Sequence, residues 1–151
     1  AQLDRFLVQL NLGYPDPETE LNILFSQAER DPLEDIEPVL SREDVIAMQE
    51  DVRTIAFDQS VARYLVDVVE RSRNDSRLKL GVSPRGSLML FRATQASAYM
   101  AGRDYVLPDD VQRLAPFVLA HRIVLTSKAR YGHQSQHDIL ADILQQVPVP
   151  T

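Results

Sequence analysis

Between Asp58 and Arg73 the apolar residues Val61, Tyr64, Leu65, Val68 and Val69 fall at i, i+3, i+4, i+7 and i+8, which places all five on one face of an α-helix. Such a helix is stable only when something covers that face, so the chain must supply further helices around it. The local signals for them are present. Asp16 followed by Pro17, Glu18 and Glu20 is a capped helix start with acids at the positive end of the dipole, and Leu21, Leu24 and Phe25 give that helix an apolar side. Ser41 caps a second helix carrying Val45, Ile46, Met48 and Val52, and Asp58 caps the third. Ser83 and Pro84 open a fourth that runs to about Ala101 and stops at Gly102. Pro108 with Asp109 and Asp110 starts a fifth, although Leu107 offers no side-chain acceptor for a cap. Pro116 interrupts the pattern Val111, Leu114, Ala115, Val118 and Leu119, which predicts one short helix ending and another beginning there. A last short helix is expected near Asp138–Gln145, and the proline-interrupted "RDPLEDIEPVL" reads as an extended connection.

One stretch departs from this pattern. Phe6, Val8, Leu10 and Leu12 alternate with Gln9 and Asn11 before Gly13 and Pro15, the period of a β-strand. A lone strand leaves its ladder groups unpaired, and nothing downstream reads as an equally strong partner. The opening "AQLDRF" also has none of the polar, flexible composition of a domain linker. These features predict a strand separated from its sheet in a segment of a longer chain, with Ala1 to Gly13 disordered, packed on the helices, or paired with another molecule.

Composition removes several classes of function. With 151 residues, 44% of them hydrophobic, the chain is long enough for one domain with a core. A net charge of −6 disfavours binding to nucleic acid by broad phosphate neutralisation, though it leaves room for a local basic site. The absence of cysteine excludes disulfides, thiolate metal sites and cysteine nucleophiles. No apolar run is long enough to span a bilayer as a helix, and a cytoplasmic location is expected.

The chemistry concentrates in "GVSPRGS", residues 81–87. Its G-x-x-x-x-G spacing imitates a phosphate-binding loop, but Ser87 and Leu88 stand where the lysine and hydroxyl residue belong. Arg85 falls in the first turn of the fourth helix, where a cation is disfavoured by roughly 0.3–1 kcal/mol. Gly86, just inside the helix, costs on the order of 1 kcal/mol and commonly marks close approach of another chain or ligand. An anion at this helix start would account for both residues; the alternative is a solvated arginine that bends away. Arg5, in "LDRF", has an equally plain reading as the exposed partner of Asp4. His133 and His137 are four apart but lack the glutamate of H-E-x-x-H, and His121 reads as a partly buried helix residue with a satisfied ring nitrogen.

Taken together, "AQLDRFLVQLNLGYPDPETE", "GVSPRGSLMLFRATQASAYMAGRDYVLPDDVQRLAPFVLAHRIVL" and "DILQQVPVP" resemble the C-terminal part of the MoxR family of AAA+ ATPases, kin of the magnesium-chelatase ATPase subunit. The resemblance implies a mainly α fold, a helical lid bundle over residues 16–151 with one short strand left from the ATPase core in residues 1–15. It implies ATP and magnesium in the intact protein, with neither held by this segment alone, since the family's phosphate-binding loop has no counterpart here. By motif, Arg5 matches an arginine finger acting in trans on a neighbouring subunit. Arg85 matches the sensor 2 arginine, with Ser83, Pro84 and Gly86 around it at the nucleotide. Expected partners are the protein's own ATPase core, neighbouring subunits of a hexameric ring, and proteins with von Willebrand factor A domains; no membrane and no nucleic acid are expected. Two other readings stay open, a non-catalytic helical interaction module and the lid of a helicase-type motor.

Overall fold

A computed structural model describes residues 3–29 and 31–150; Ala1, Gln2, Arg30 and Thr151, which the sequence reading places in the first strand region, the connection and the C-terminal tail, lie outside it. The described residues form two compact units, one from residues 1–9 and 50–151 and one from residues 10–49. This division differs from 1–15 and 16–151, which refers to an ATPase core that these residues do not build.

In the smaller unit, α1 (Pro17–Glu29) begins where Asp16 Oδ1 accepts from the N–H groups of Glu18 and Thr19 at 3.1 and 3.0 Å. At the start of α2 (Arg42–Thr54), Ser41 Oγ accepts from Asp44 N while the Asp44 carboxylate accepts from Ser41 N, so two orphan donors are satisfied reciprocally. A 3-10 turn, Pro32–Asp35, lies between them. The expected apolar side of α1 is present but uncovered: Leu21, Leu24 and Phe25 are all exposed.

The larger unit holds the core. Val61, Tyr64, Leu65, Val68 and Val69, the stripe that defines α3 (Gln59–Arg73), are all buried. Covering them are α4 (Pro84–Met100), α5 (Pro108–Leu119) and α7 (Gln136–Gln146), with the short α6 (Ser127–Tyr131) before the last. Leu90, Val111, Val118, Leu119, Ile139, Leu140 and Ile143 have no measurable exposure. Burial of each such side chain contributes about 1.5–3 kcal/mol, which is why these helices stay together despite their modest individual lengths.

Two short strands, β1 (Leu78–Leu80) and β2 (Val124–Leu125), pair antiparallel and join the entry to α4 with the exit from α5. Between α3 and α4, Ser72 Oγ donates to Val69 O and accepts from Val82 N, fixing Val82 and therefore the point where α4 begins.

Two expectations need correction. Residues 6–12 form no strand: among the described residues no ladder reaches them, and Gln9 N donates instead to Phe117 O at 3.0 Å. Alternation specifies faces but supplies no partner, and a strand without one cannot satisfy its backbone. Pro116 also fails to divide α5, which runs unbroken to Leu119. The missing N–H at Pro116 costs one helical bond, but Ala115, Val118 and Leu119 on either side are completely enclosed, and their burial outweighs it.

Candidate functional site

The start of α4 is built as its sequence requires. Ser83 has an extended backbone, and its Oγ accepts from Gly86 N at 3.2 Å; Pro84 occupies the first helical turn where no N–H is needed. There is no acid in that turn. Arg85 is exposed and makes no hydrogen bond or ion pair with any described residue.

Gly86 is buried, and the reason lies within the chain. A Cβ there would stand 2.6 Å from Val82 Cγ1 and 3.0 Å from Arg122 Cδ, both closer than side-chain carbons pack. The groups that make the close approach at this glycine are the Val82 side chain and, next, the aliphatic stem of Arg122. With its N–H taken by Ser83, Gly86 is fully engaged, whereas Arg85 beside it is not.

Arg122 is the residue that sequence reasoning missed. It follows α5 in a 3-10 turn, Ala120–Arg122, and its side chain is entirely enclosed. Nη2 donates to the carbonyls of Asp4 and Phe6 at 3.1 and 2.5 Å; Nη1 donates to Leu7 O at 3.3 Å and to Val118 O. Nε lies 3.2 Å from Asp4 Oδ1, an ion-pair separation without the alignment of a hydrogen bond. Burial lowers the Arg122 pKa from its ordinary value, the Asp4 carboxylate opposes that, and the nearby charge of Arg85 adds to it. A visible signal was available: "AHRIVL" places an arginine inside an apolar run whose neighbours Ala120 and Ile123 are buried.

Asp4 therefore pairs with Arg122 rather than with its neighbour Arg5. Its carboxylate also receives long, weak contacts from Ser83 Oγ at 3.4 and 3.5 Å, so the two short arginine motifs, 79 residues apart, meet here. Arg5 ends a 3-10 turn, Leu3–Arg5, is exposed, and holds its guanidinium 5.2 Å from the centroid of the Phe6 ring, within cation–π range. His121 Nε2 lies 3.1 Å from Phe6 O and also meets Arg122 Nη1, its role as donor or acceptor depending on the tautomer, while Nδ1 is buried without a partner among the described residues. Burial pushes its imidazole pKa below the ordinary value, which the Phe6 carbonyl opposes and the Arg122 charge reinforces.

A cavity of about 940 Å³ opens between these groups, lined by Asp4, Arg73, Lys79, Ser83, His121 and Arg122 among others. With Arg122 taken by Asp4, Arg73 and Lys79 give the recess an excess of positive charge in a chain of net charge −6; Arg5 and Arg85 do not line it, although Ser83 and Pro84 do. No group of three or more His, Cys, Asp or Glu side chains that could hold a metal ion occurs among the described residues. His133, in a positive-φ turn, and His137, in the first turn of α7, do not share a helix face. No helix among the described residues is long and apolar enough to cross a membrane.

The AAA lid domain family matches residues 70–143. The chain is 44% identical over 150 residues to YeaC of Bacillus subtilis, itself uncharacterized, covering 99% of this chain and 47% of that protein. It is 35% identical over 159 residues to the chaperone MoxR1 of Mycobacterium tuberculosis, covering 99% of this chain and 42% of the relative. A crystal structure of an inferred ATPase from Cytophaga hutchinsonii superposes with a TM-score of 0.86 at 28% identity, over 99% of this chain and 48% of that one. The chain thus spans less than half the length of these relatives.

Proposed function

The chain belongs to the AAA+ ATPases of the MoxR type, and from that premise we propose that residues 1–15 are the end of an ATPase core and residues 16–151 its helical lid. In this reading Arg85 is the sensor 2 arginine and reaches the terminal phosphate of ATP bound in its own subunit. The observation that carries it is an exposed cation without a partner among the described residues, in the first turn of a 17-residue helix without an acid there, beside a basic recess. Arg85 supplies charge and directional N–H donors; the start of α4 and the cations Arg73 and Lys79 add positive potential. Ser83 and Pro84 hold the turn that presents Arg85, and Gly86 leaves room there for the Arg122 stem.

Arg5 is the arginine finger, acting on ATP held by the neighbouring subunit of a ring, for which six members are expected. As the terminal phosphoryl group transfers to water, charge builds on its oxygens and on the leaving diphosphate, and a guanidinium placed there accelerates the step by about 10³–10⁵. Magnesium accompanies ATP in this reading, and among the described residues no group of acids gathers to hold it. ATP-driven movement of the lid then remodels or matures partner proteins, among them proteins with von Willebrand factor A domains, in the cytoplasm. The uncovered apolar residues Leu21, Leu24 and Phe25 on α1 favour a protein-contacting role for the smaller unit within the same reading.

Hydrolysis by the full-length protein tests both assignments. Arg85→Ala should weaken ATP binding or turnover; Arg5→Ala should leave ATP binding intact and cut turnover by at least about 10³-fold. Wild-type turnover in both variants would overturn the site. The 151 residues alone should release no phosphate from ATP.

A further inference from the structure

Resting on the reading of Arg5 and Arg85 above, we infer that Arg122 is a positioning residue that fastens the turn carrying Arg5 to the start of α4, so that the nucleotide sensed in one subunit sets the finger offered to the next. The contacts are specific to that task. The Arg122 guanidinium takes the backbone carbonyls of Asp4 and Phe6, the residues on either side of Arg5, and that of Leu7 as well. Because the acceptors are main-chain atoms, they fix the path of the chain through Arg5 while leaving the Arg5 side chain exposed. The stem of the same arginine lies over Gly86, one residue beyond Arg85. A single side chain therefore touches the immediate neighbours of both proposed phosphate-contacting arginines.

Its chemistry suits the role better than stability alone would demand. Enclosing a guanidinium is costly, and a packed apolar residue would serve a core at least as well. What an apolar residue cannot do is bridge several carbonyls; the planar fork of arginine spans them from two nitrogens, whereas lysine offers three donors from a single one and cannot cover the same spread. Arg85 and Arg122 also repel each other, since Arg85 disfavours the charged form of Arg122. An anion bound at Arg85 removes that repulsion, which links phosphate binding to the clasp without any new contact. Ser83 adds a second, weaker thread from the α4 cap to Asp4.

The test uses the full-length protein and Arg122→Lys, which keeps the charge and removes the fork. The expected result is turnover reduced at least about tenfold, with the KM for ATP changed less than about twofold, because the nucleotide still meets Arg85 while the finger is misplaced. Amide hydrogen exchange should accelerate at residues 4–9 and stay unchanged in α7. Combining Arg122→Lys with Arg5→Ala should give the residual rate of Arg5→Ala alone, since Arg122 acts only through Arg5. Multiplying losses, unaltered exchange at residues 4–9, or wild-type turnover would each overturn the clasp. If Arg122→Lys does not fold, Asp4→Asn keeps the carbonyl contacts and weakens the ion pair. It should show the same split between turnover and KM to a smaller extent, and an undivided effect on both would refute the inference. Failure of the underlying reading is distinguishable: Arg5→Ala and Arg85→Ala would then hydrolyse ATP normally, whatever Arg122→Lys does.

Discussion

The helices α4 and α5 both begin with proline in the first turn, and they handle charge in opposite ways. At α5 the acids are local. Asp110 reaches back to accept from Leu107 N at 3.0 Å, compensating for a cap residue with no acceptor of its own, and it receives Arg103 at 2.8 Å and Arg113 at 3.2 Å. Burial raises its carboxyl pKa, but the hydrogen bonds from Arg103, Leu107 N and Arg113 outweigh this and hold it below the ordinary value. At α4 the first turn carries a cation instead, and Asp4, which reaches the Ser83 cap, is taken by Arg122. The first arrangement is closed on itself. The second leaves Arg85 without a counter-charge among the described residues, which is what the proposed role at a phosphate requires.

The contrast can be broken where it is strongest. Asp110→Ala strands Arg103 and leaves Leu107 N without its acceptor, and should cost about 3 kcal/mol. Asp4→Ala should cost about 1 kcal/mol, because that carboxylate is partly exposed and the Asp4 carbonyl contact survives. Urea unfolding of the two variants measures the difference, and equal losses would remove the distinction between a closed and an open cluster. Gly86→Ala comes next. The added methyl must displace Val82 or the Arg122 stem, and the overpacking, partly offset by the entropy gained over glycine, should leave a net loss of about 1–2 kcal/mol.

The smallest effect has the opposite sign. Arg85→Glu places an acid where the dipole favours one and should stabilise the nucleotide-free protein by about 0.5 kcal/mol, read as a rise in urea midpoint. A stabilising change that abolishes function is the expected mark of a residue kept for binding. Destabilisation by that substitution would mean that Arg85 already has a structural partner.

How much of this was legible in the sequence depends on the range of the contacts involved. The helix starts at Asp16, Ser41, Asp58 and Ser83 could be read directly, because a cap bonds two or three residues ahead and its chemistry is written locally. The core face of α3 was legible for the same reason. The β1–β2 pair was not, since two or three residues carry no period and their pairing joins positions more than forty apart. Arg122 stood out in the sequence only as an arginine within an apolar run; what it binds could not be read, because its partners Asp4, Phe6 and Leu7 are more than a hundred residues away. Gly86 shows the boundary well. Its sequence position announced a close approach, but only the fold could say that the approaching groups were Val82 and Arg122 of the same chain. Within residues 6–12 the pattern itself misled, because alternation describes which side chains share a face and is silent on whether a neighbour exists.

The central claim is that the first-turn cation of α4 awaits a terminal phosphate. Equilibrium binding of ATP and ADP to the full-length protein, wild type against Arg85→Ala, tests it most directly. Loss of one charge-assisted contact to the third phosphate should remove about tenfold of the preference for ATP and leave ADP affinity nearly unchanged. An ATP-to-ADP preference identical in both proteins would contradict the account.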